Sequence, residues 1–395
     1  MKYIAAAAML LASTSVFAAT HTVEAGPDAQ ERLQEALIIA EPGDTVEIGA
    51  GRFELTDGLS LDVANVTVRG AGPDASILDF SNQVGSGEGL LVTSDDVVLR
   101  DFAVENTRGD GIKSKEADRI VYHNIRVEWT RGPHPDNGAY GIYPVESTHV
   151  LVDGSTVIGS SDAGIYVGQS QQIVVRNNNV HYNVAGIEIE NSFYADVYDN
   201  VATHNTGGIL VFDLPSIPQV GGHSVRVFRN FIHDNNTANF AHEGNIVATV
   251  PAGMGVMVMA HRNVEVFNNI MADHGSGNIL LVAYPNDYDD ERYNPYPLNV
   301  TIRDNLYGPA GYNPDFDGGA ELQAALGGQL PPIIWDGQGS GIRVSDDIGV
   351  LSLGLTRLRQ PFQEAQPAPA DLSEGEGSAE LQAVVLPDSM EAALR

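Results

Sequence analysis

One phrase constrains this chain more than any other feature. A Gly, an aliphatic residue, any residue and usually a second aliphatic recur every 22 to 23 residues, with the interval stretched by insertions. The copies are Gly89-Leu90-Leu91-Val92, Gly111-Ile112-Lys113-Ser114, Gly141-Ile142-Tyr143-Pro144, Gly164-Ile165-Tyr166-Val167, Gly186-Ile187-Glu188-Ile189, Gly208-Ile209-Leu210-Val211 and Gly255-Val256-Met257-Val258. A copy without Gly follows at Asn278-Ile279-Leu280-Leu281. A fixed period of this size marks a solenoid, in which each repeat is one coil and buries its apolar side only against its neighbours. Side chains alternate across a strand, so the aliphatics face inward and the residue between them faces out.

A second phrase precedes each copy. It runs from Val66-Thr67-Val68 through Val97-Val98-Leu99, Ile120-Val121-Tyr122, Val150-Leu151-Val152, Ile173-Val174-Val175, Ala195-Asp196-Val197 and Val225-Arg226-Val227 to Val264-Glu265-Val266 and Val300-Thr301-Ile302. An Asn follows five of these at a constant offset: Asn178, Asn200, Asn230, Asn269 and Asn305. Asn tolerates left-handed turns and can hydrogen-bond a stacked copy of itself, so these read as an internal ladder at one corner. The expected fold is all-β, a single-stranded right-handed parallel β-helix of about eight to ten coils. Asp28 to Ala40 reads as an amphipathic helix that caps the open N-terminal end.

The expected layout is a signal peptide at 1–18, an N-terminal cap at 19–60, the β-helix at 61–310, a C-terminal cap at 311–360 and a flexible acidic tail at 361–395. Lys2, the apolar stretch Ile4 to Leu11 and Val16-Phe17-Ala18 have the form of a secretory leader. That implies a periplasmic or secreted protein without membrane insertion. The chain has no Cys, which excludes disulfides, thiolate metal sites and Cys nucleophiles. A formal charge of −31 argues against nucleic acid as a partner, because phosphate contacts need clustered Lys and Arg.

Spacing between the phrases swells at 71–88, 130–138 and 235–252 on one margin of the Gly-Ile sheet, and at 212–223 and 284–298 on the other. Long loops on both margins would wall a groove over its outward face. Two outward columns line that groove: Leu91, Lys113, Tyr143, Tyr166, Glu188, Leu210, Met257, Leu280, and then Thr93, Lys115, Val145, Gly168, Glu190, Phe212, Met259, Val282. The apolar far end of both columns is expected to be covered by the 212–223 and 235–252 loops.

Lys113 and Lys115 are the only lysines beyond the leader, and both fall on one rung. With Arg131 and His134 in the adjacent long loop they form a basic island in an acidic protein, suited to anionic groups. Asp110, Glu116 and Asp118 are near enough in sequence to neutralise them. Tyr143 and Tyr166 offer faces for stacking on sugar rings. The expected catalytic residues are Glu146 as base, with Lys113 and Tyr143. The expected substrate-binding residues are Lys115, Arg131, His134, Tyr166, Glu188 and Glu190. No metal ligand set is assigned: His181, His204, His233 and His274 fall at unequal offsets from the ladder, and Asp287 to Glu291 is an acidic run with only weak Ca²⁺ character.

From about Val97 to Asn305 the chain resembles the secreted parallel β-helix repeat proteins of the carbohydrate-binding and sugar-hydrolase class, which includes alginate C5-epimerases and pectate lyases. Asp162 to Ser170, Asn183 to Asn191 and Gly207 to Asp213 carry the resemblance. It implies a polysaccharide or oligosaccharide partner, with lyase- or epimerase-like chemistry as the enzymatic option. Where the epimerases have Asp-Pro-His-Asp after Tyr-Gly-Ile, this chain has Tyr143, Pro144, Val145 and Glu146, so that motif is not kept. The alternative is a non-catalytic periplasmic scaffold that docks a partner protein on its outward apolar columns.

Overall fold

The computed structural model describes residues 18–85 and 87–395, so the leader expected at 1–18 lies almost wholly outside them. Three long parallel sheets run the length of the molecule, of twelve, twelve and ten strands. Each coil contributes one Val-x-Val strand (such as Thr148–Asp153), one short strand (Thr156–Ile158) and one Gly-Ile strand (Ala163–Gly168). The ten strands of the short sheet give ten complete coils. The strands Thr45–Ile48, Gly51–Glu54 and Leu59–Leu61 already form the first of them, and Ile333–Trp335 pairs onto Gly277–Val282 near the far end. The ladder therefore extends beyond both boundaries drawn at 61 and 310: Gly58-Leu59-Ser60-Leu61 is itself a copy of the phrase, in register with Leu90-Leu91-Val92, and Pro332-Ile333-Ile334-Trp335 keeps the inward apolar positions without the Gly.

The core is a set of stacked aliphatic columns. Ile165, Ile187, Ile209, Val256 and Ile279 lie in register, as do Val167, Ile189, Val211, Val258 and Leu281, and all are fully buried. Burying each such side chain stabilises by roughly 1.5–3 kcal/mol before entropy is counted. Helix Ala29–Ile39 places Ala29, Leu33, Ala36 and Leu37 over the N-terminal end of that stack, as the amphipathic pattern predicts.

The Asn corner is a ladder, with one correction. The side-chain amides of Asn178, Asn200, Asn230 and Asn269 each donate to the next Asn carbonyl oxygen at 3.0 Å. The left-handed residue is the one before each of them: Asn177, Asp199, Arg229, Asn268 and Asp304 have φ between 53° and 58°. The ladder Asn is there for its amide, not for turn geometry. Six residues on from Asn177, a second ladder runs through Asn183, Asn205 and Asn235 at 2.9–3.0 Å and ends on the imidazole of buried His274, 3.2 Å from Asn235.

The end of the chain is drawn back along the outward face of the Val-x-Val sheet. Leu386 and Met390 are buried against Val121, Leu151 and Val174. Arg176 holds Glu391 at 2.7 Å, and Val384 N–H donates to Asp196 at 3.0 Å. The short helix Asp388–Ala392 lies within this segment; a short helix is one reading that the sequence leaves open for 381–395.

Candidate functional site

The outward face of the Gly-Ile sheet carries the two expected columns in register: Lys113 pairs with Tyr143, Tyr166 with Glu188, Glu188 with Leu210, and Glu190 with Phe212. A third outward column precedes them. Tyr140, Ala163, Ala185, Gly207 and Met254 are aligned and pack with the outward side chains, not with the core. Strict alternation would send these inward. The chain bends at the following Gly, where an added Cβ at Gly141 would collide with Val157 and with the Gly164 carbonyl, so two successive positions break the period.

Tyr140, Tyr143 and Tyr166 form a triangle with ring centroids 4.5–4.8 Å apart. Their faces are largely spent on one another, and Tyr166 is buried. Its hydroxyl favours the ionised form of Glu190, and the Tyr140 hydroxyl that of Asp162. Tyr166 therefore orients a carboxylate here; the stacking platform expected from its position is already occupied. Tyr143 keeps partial exposure, with the Lys113 Nζ 4.7 Å from its ring centre.

Beside the tyrosines stand three buried carboxyl groups: Asp162, Glu188 and Glu190, at 7%, 1% and 7% exposure. Burial removes water from the charged form and raises all three; neighbouring carboxylates raise them further, Asp110 acting on Asp162, and Asp162 on both Glu188 and Glu190. Glu190 is pushed up to about 7, although the Tyr166 hydroxyl favours its ionised form. Glu188 is pushed well above the ordinary range by burial and by the charges of Asp162 and Glu190. Its Oε1 has no hydrogen-bond partner among the described residues. Groups this close share protons as a set, so near neutral pH part of the cluster is protonated and part ionised. At its margins, burial raises Asp110 to about 6 and Asp213 to about 7.

These carboxyls line one end of a cavity of about 350 Å³. Its middle is apolar, walled by Leu210, Phe212, Met257, Met259, Leu280 and Val282. Val247 and Val250 of the 235–252 loop close one side, Tyr284 and Tyr293 of the 284–298 loop pack with the apolar wall, and Leu214 adds a contact from 212–223. Loop covering of the apolar end is thus as the insertions predict. A fourth wall, Leu353, Leu355, Arg359 and Gln360, comes from a C-terminal segment with no repeat signal.

The basic island is arranged differently. Lys113 lies 3.8 Å from Glu88 and 3.9 Å from Asp110, and Lys115 lies 3.5 Å from Glu116 and 3.6 Å from Glu146. Glu146 is in a left-handed turn (φ 56°) and lines a shallow recess with Gln169, Gln171 and Gln219 instead of the cavity. Arg131 is engaged within its own loop by Asn137 and the Asp136 carbonyl, and His134 contacts Asp136. Arg131 borders a separate open recess with Trp129 and Arg108. The structure therefore gathers Tyr143, Tyr166, Glu188, Glu190 and Lys113, and sets Glu146, Lys115, Arg131 and His134 apart. Asp162, Tyr140 and Asp336, a buried acid at the cavity's other end, were not singled out from the sequence. In the acidic run, Asp290 is taken by Arg292 at 2.7 Å. No group of three or more His, Asp or Glu side chains among the described residues is placed to hold a metal ion.

Residues 60–220 match the family model described as the right handed beta helix region. The pre-neck appendage protein of Bacillus phage phi29 is 23% identical over 260 residues, covering 57% of this chain and 30% of its own length. The chain thus spans under a third of that curated relative. Among solved structures, an alginate lyase from Paenibacillus sp. str. FPU-7 superimposes with a TM-score of 0.39 at 16% identity, covering 75% of this chain and 98% of the lyase. A family 28 exopolygalacturonase from Yersinia enterocolitica gives 0.49 at 14% identity, covering 82% and 71%. No helix among the described residues is long and apolar enough to cross a membrane. With its three parallel ladders, this chain folds as a right-handed parallel β-helix.

Proposed function

We propose that the chain binds a glycan in the cavity over the Gly-Ile sheet and cleaves a glycosidic bond there by acid–base chemistry. The observation that carries this is Glu188: a fully buried carboxyl with an unpartnered oxygen, beside two other buried acids, at the end of a walled cavity. Glycoside hydrolysis uses one carboxyl that is protonated at working pH and one that is ionised. Glu188, deepest and least compatible with charge, donates its proton to the departing oxygen as the C–O bond breaks. Glu190, held toward the ionised form by Tyr166, acts on the opposite partner as base or nucleophile, and water completes the reaction. Asp162 keeps the pair's protons shared.

This reading favours a neutral sugar at the reacting centre, since the site is acidic and both lysines face carboxylates. A uronate substrate is the second reading, with lyase- or epimerase-like chemistry. One feature supports it: the partners of Lys113 are at 3.8 and 3.9 Å, beyond hydrogen-bond length, so an incoming carboxylate can displace them. The leader-like segment supports a periplasmic or secreted setting for either.

The test is a panel of neutral and uronate-containing oligosaccharides incubated with the purified protein. Reducing ends should appear from a neutral glycan with the parent and be lost with Glu188→Gln. An unsaturated product absorbing near the ultraviolet edge, formed only from uronates and dependent on Lys113, would transfer the assignment to the second reading. No turnover of any member, with no binding, would remove both.

A further inference from the structure

The carboxyl cluster accounts for one end of the cavity only. Beyond it the chamber is built from Leu210, Phe212, Met257, Met259, Leu280 and Val282, capped by Val247 of the 235–252 loop. A second sugar residue laid on this sheet floor would set hydroxyls against Leu, Phe, Met and Val side chains that cannot receive them, and each unpaired buried hydroxyl costs about 1–3 kcal/mol. An apolar group meets no such penalty and gains from every area of surface removed from water. Methionine walls also adjust their shape to an irregular apolar guest. Polar groups return at the rim, where Thr249, Asp336, Gln338, Arg359 and Gln360 line the cavity. The volume, about 350 Å³, falls within the range of small-ligand pockets, which are apolar with a few placed polar groups.

From this arrangement we infer that the ligand is an amphiphilic glycoside: a sugar at the Asp162–Glu188–Glu190 end, and an alkyl, acyl or aryl substituent in the methionine-lined chamber. The inference rests on the glycan reading for the sugar end, whereas the chamber itself is independent of turnover. Cleavage of the bond between sugar and substituent would release a hemiacetal sugar and an alcohol, a carboxylic acid or a phenol for an alkyl, acyl or aryl substituent respectively, with one water consumed and no other reactant needed.

The experiment is calorimetric titration of the full-length protein with methyl, butyl, hexyl and octyl β-glucosides, each below its micellar concentration. Affinity should rise about fourfold per added methylene until the chamber is full. Met257→Trp and, separately, Leu280→Trp fill the chamber from two different rungs and should flatten that dependence; thermal melts establish that at least one variant is folded. Dissociation constants independent of chain length in the parent overturn the inference, as does an unaltered dependence in a folded Trp variant. Chain-length dependence without any hydrolysis would leave the chamber assignment standing and defeat the glycosidase reading alone.

Discussion

Two columns of buried polar side chains run through this solenoid, and they differ in one respect. In the Asn178–Asn305 ladder every interior amide is satisfied: Asn200, for example, accepts from the backbone and side chain of Asn178, and donates to Asn230 and to the Val175 carbonyl at 3.0 Å. In the Asp162–Glu188–Glu190 cluster an oxygen is unpartnered and like charges face each other. A satisfied buried network holds a fold together, and an unsatisfied one stores free energy that a ligand can release. Substitutions in the two columns should therefore act with opposite sign on stability.

The largest effect is expected on turnover. Glu190→Gln keeps shape and hydrogen-bonding capacity but cannot ionise, so glycan hydrolysis should fall by about 10²–10⁴-fold with binding retained, read from initial rates and titration. In the ladder, Asn200→Leu leaves two donors of Asn178 without their acceptor and removes the side-chain donor to the Val175 carbonyl, while the Asn230 carbonyl oxygen keeps the backbone N–H of residue 200. It should destabilise by about 3 kcal/mol or more, read from denaturant unfolding.

The same Glu190→Gln variant should gain stability, and the gain should depend on pH. The folded value of Glu190 is raised to about 7 from an ordinary 4.5, so between these the folded state holds the extra proton. Stability consequently falls as pH rises through that window. The variant escapes this penalty. Its advantage should be absent near pH 4.5 and reach up to about 3 kcal/mol near pH 8, read from melts across pH. A variant that is less stable than the parent at pH 8 would place Glu190 with the structural column. The smallest effect belongs to the exposed Lys115, which faces Glu116 and Glu146: Lys115→Ala should shift stability by no more than about 0.5 kcal/mol and leave binding of a neutral glycan nearly unchanged.

The stacked Gly-Ile and Val-x-Val phrases made the architecture legible, because inward aliphatics at a constant beat admit one arrangement. The outward columns were legible by alternation, and Glu188 and Glu190 were found that way. Tyr140 was hidden, since the bend at each phrase Gly overturns alternation just before it. The lysines drew attention by rarity, but rarity carries no information on pairing, and each sits within 4 Å of two carboxylates. The value of Asp162 depends on burial beneath loops from 235–252 and 353–360, which no local pattern reports. One signal was present and unread: Val98, Val121, Leu151 and Val174 are four successive apolar residues at outward positions. Such a strip demands a cover, and the C-terminal Leu386 and Met390 supply it.

The central claim is that the buried carboxyls hold a proton at neutral pH. Carboxyl ¹³C resonances of protein labelled at Glu side chains, assigned with Glu188→Gln and Glu190→Gln, measure this directly. The account predicts that Glu190 titrates near 7 and that Glu188 titrates well above the ordinary carboxyl range. Ordinary titration of both residues would contradict it.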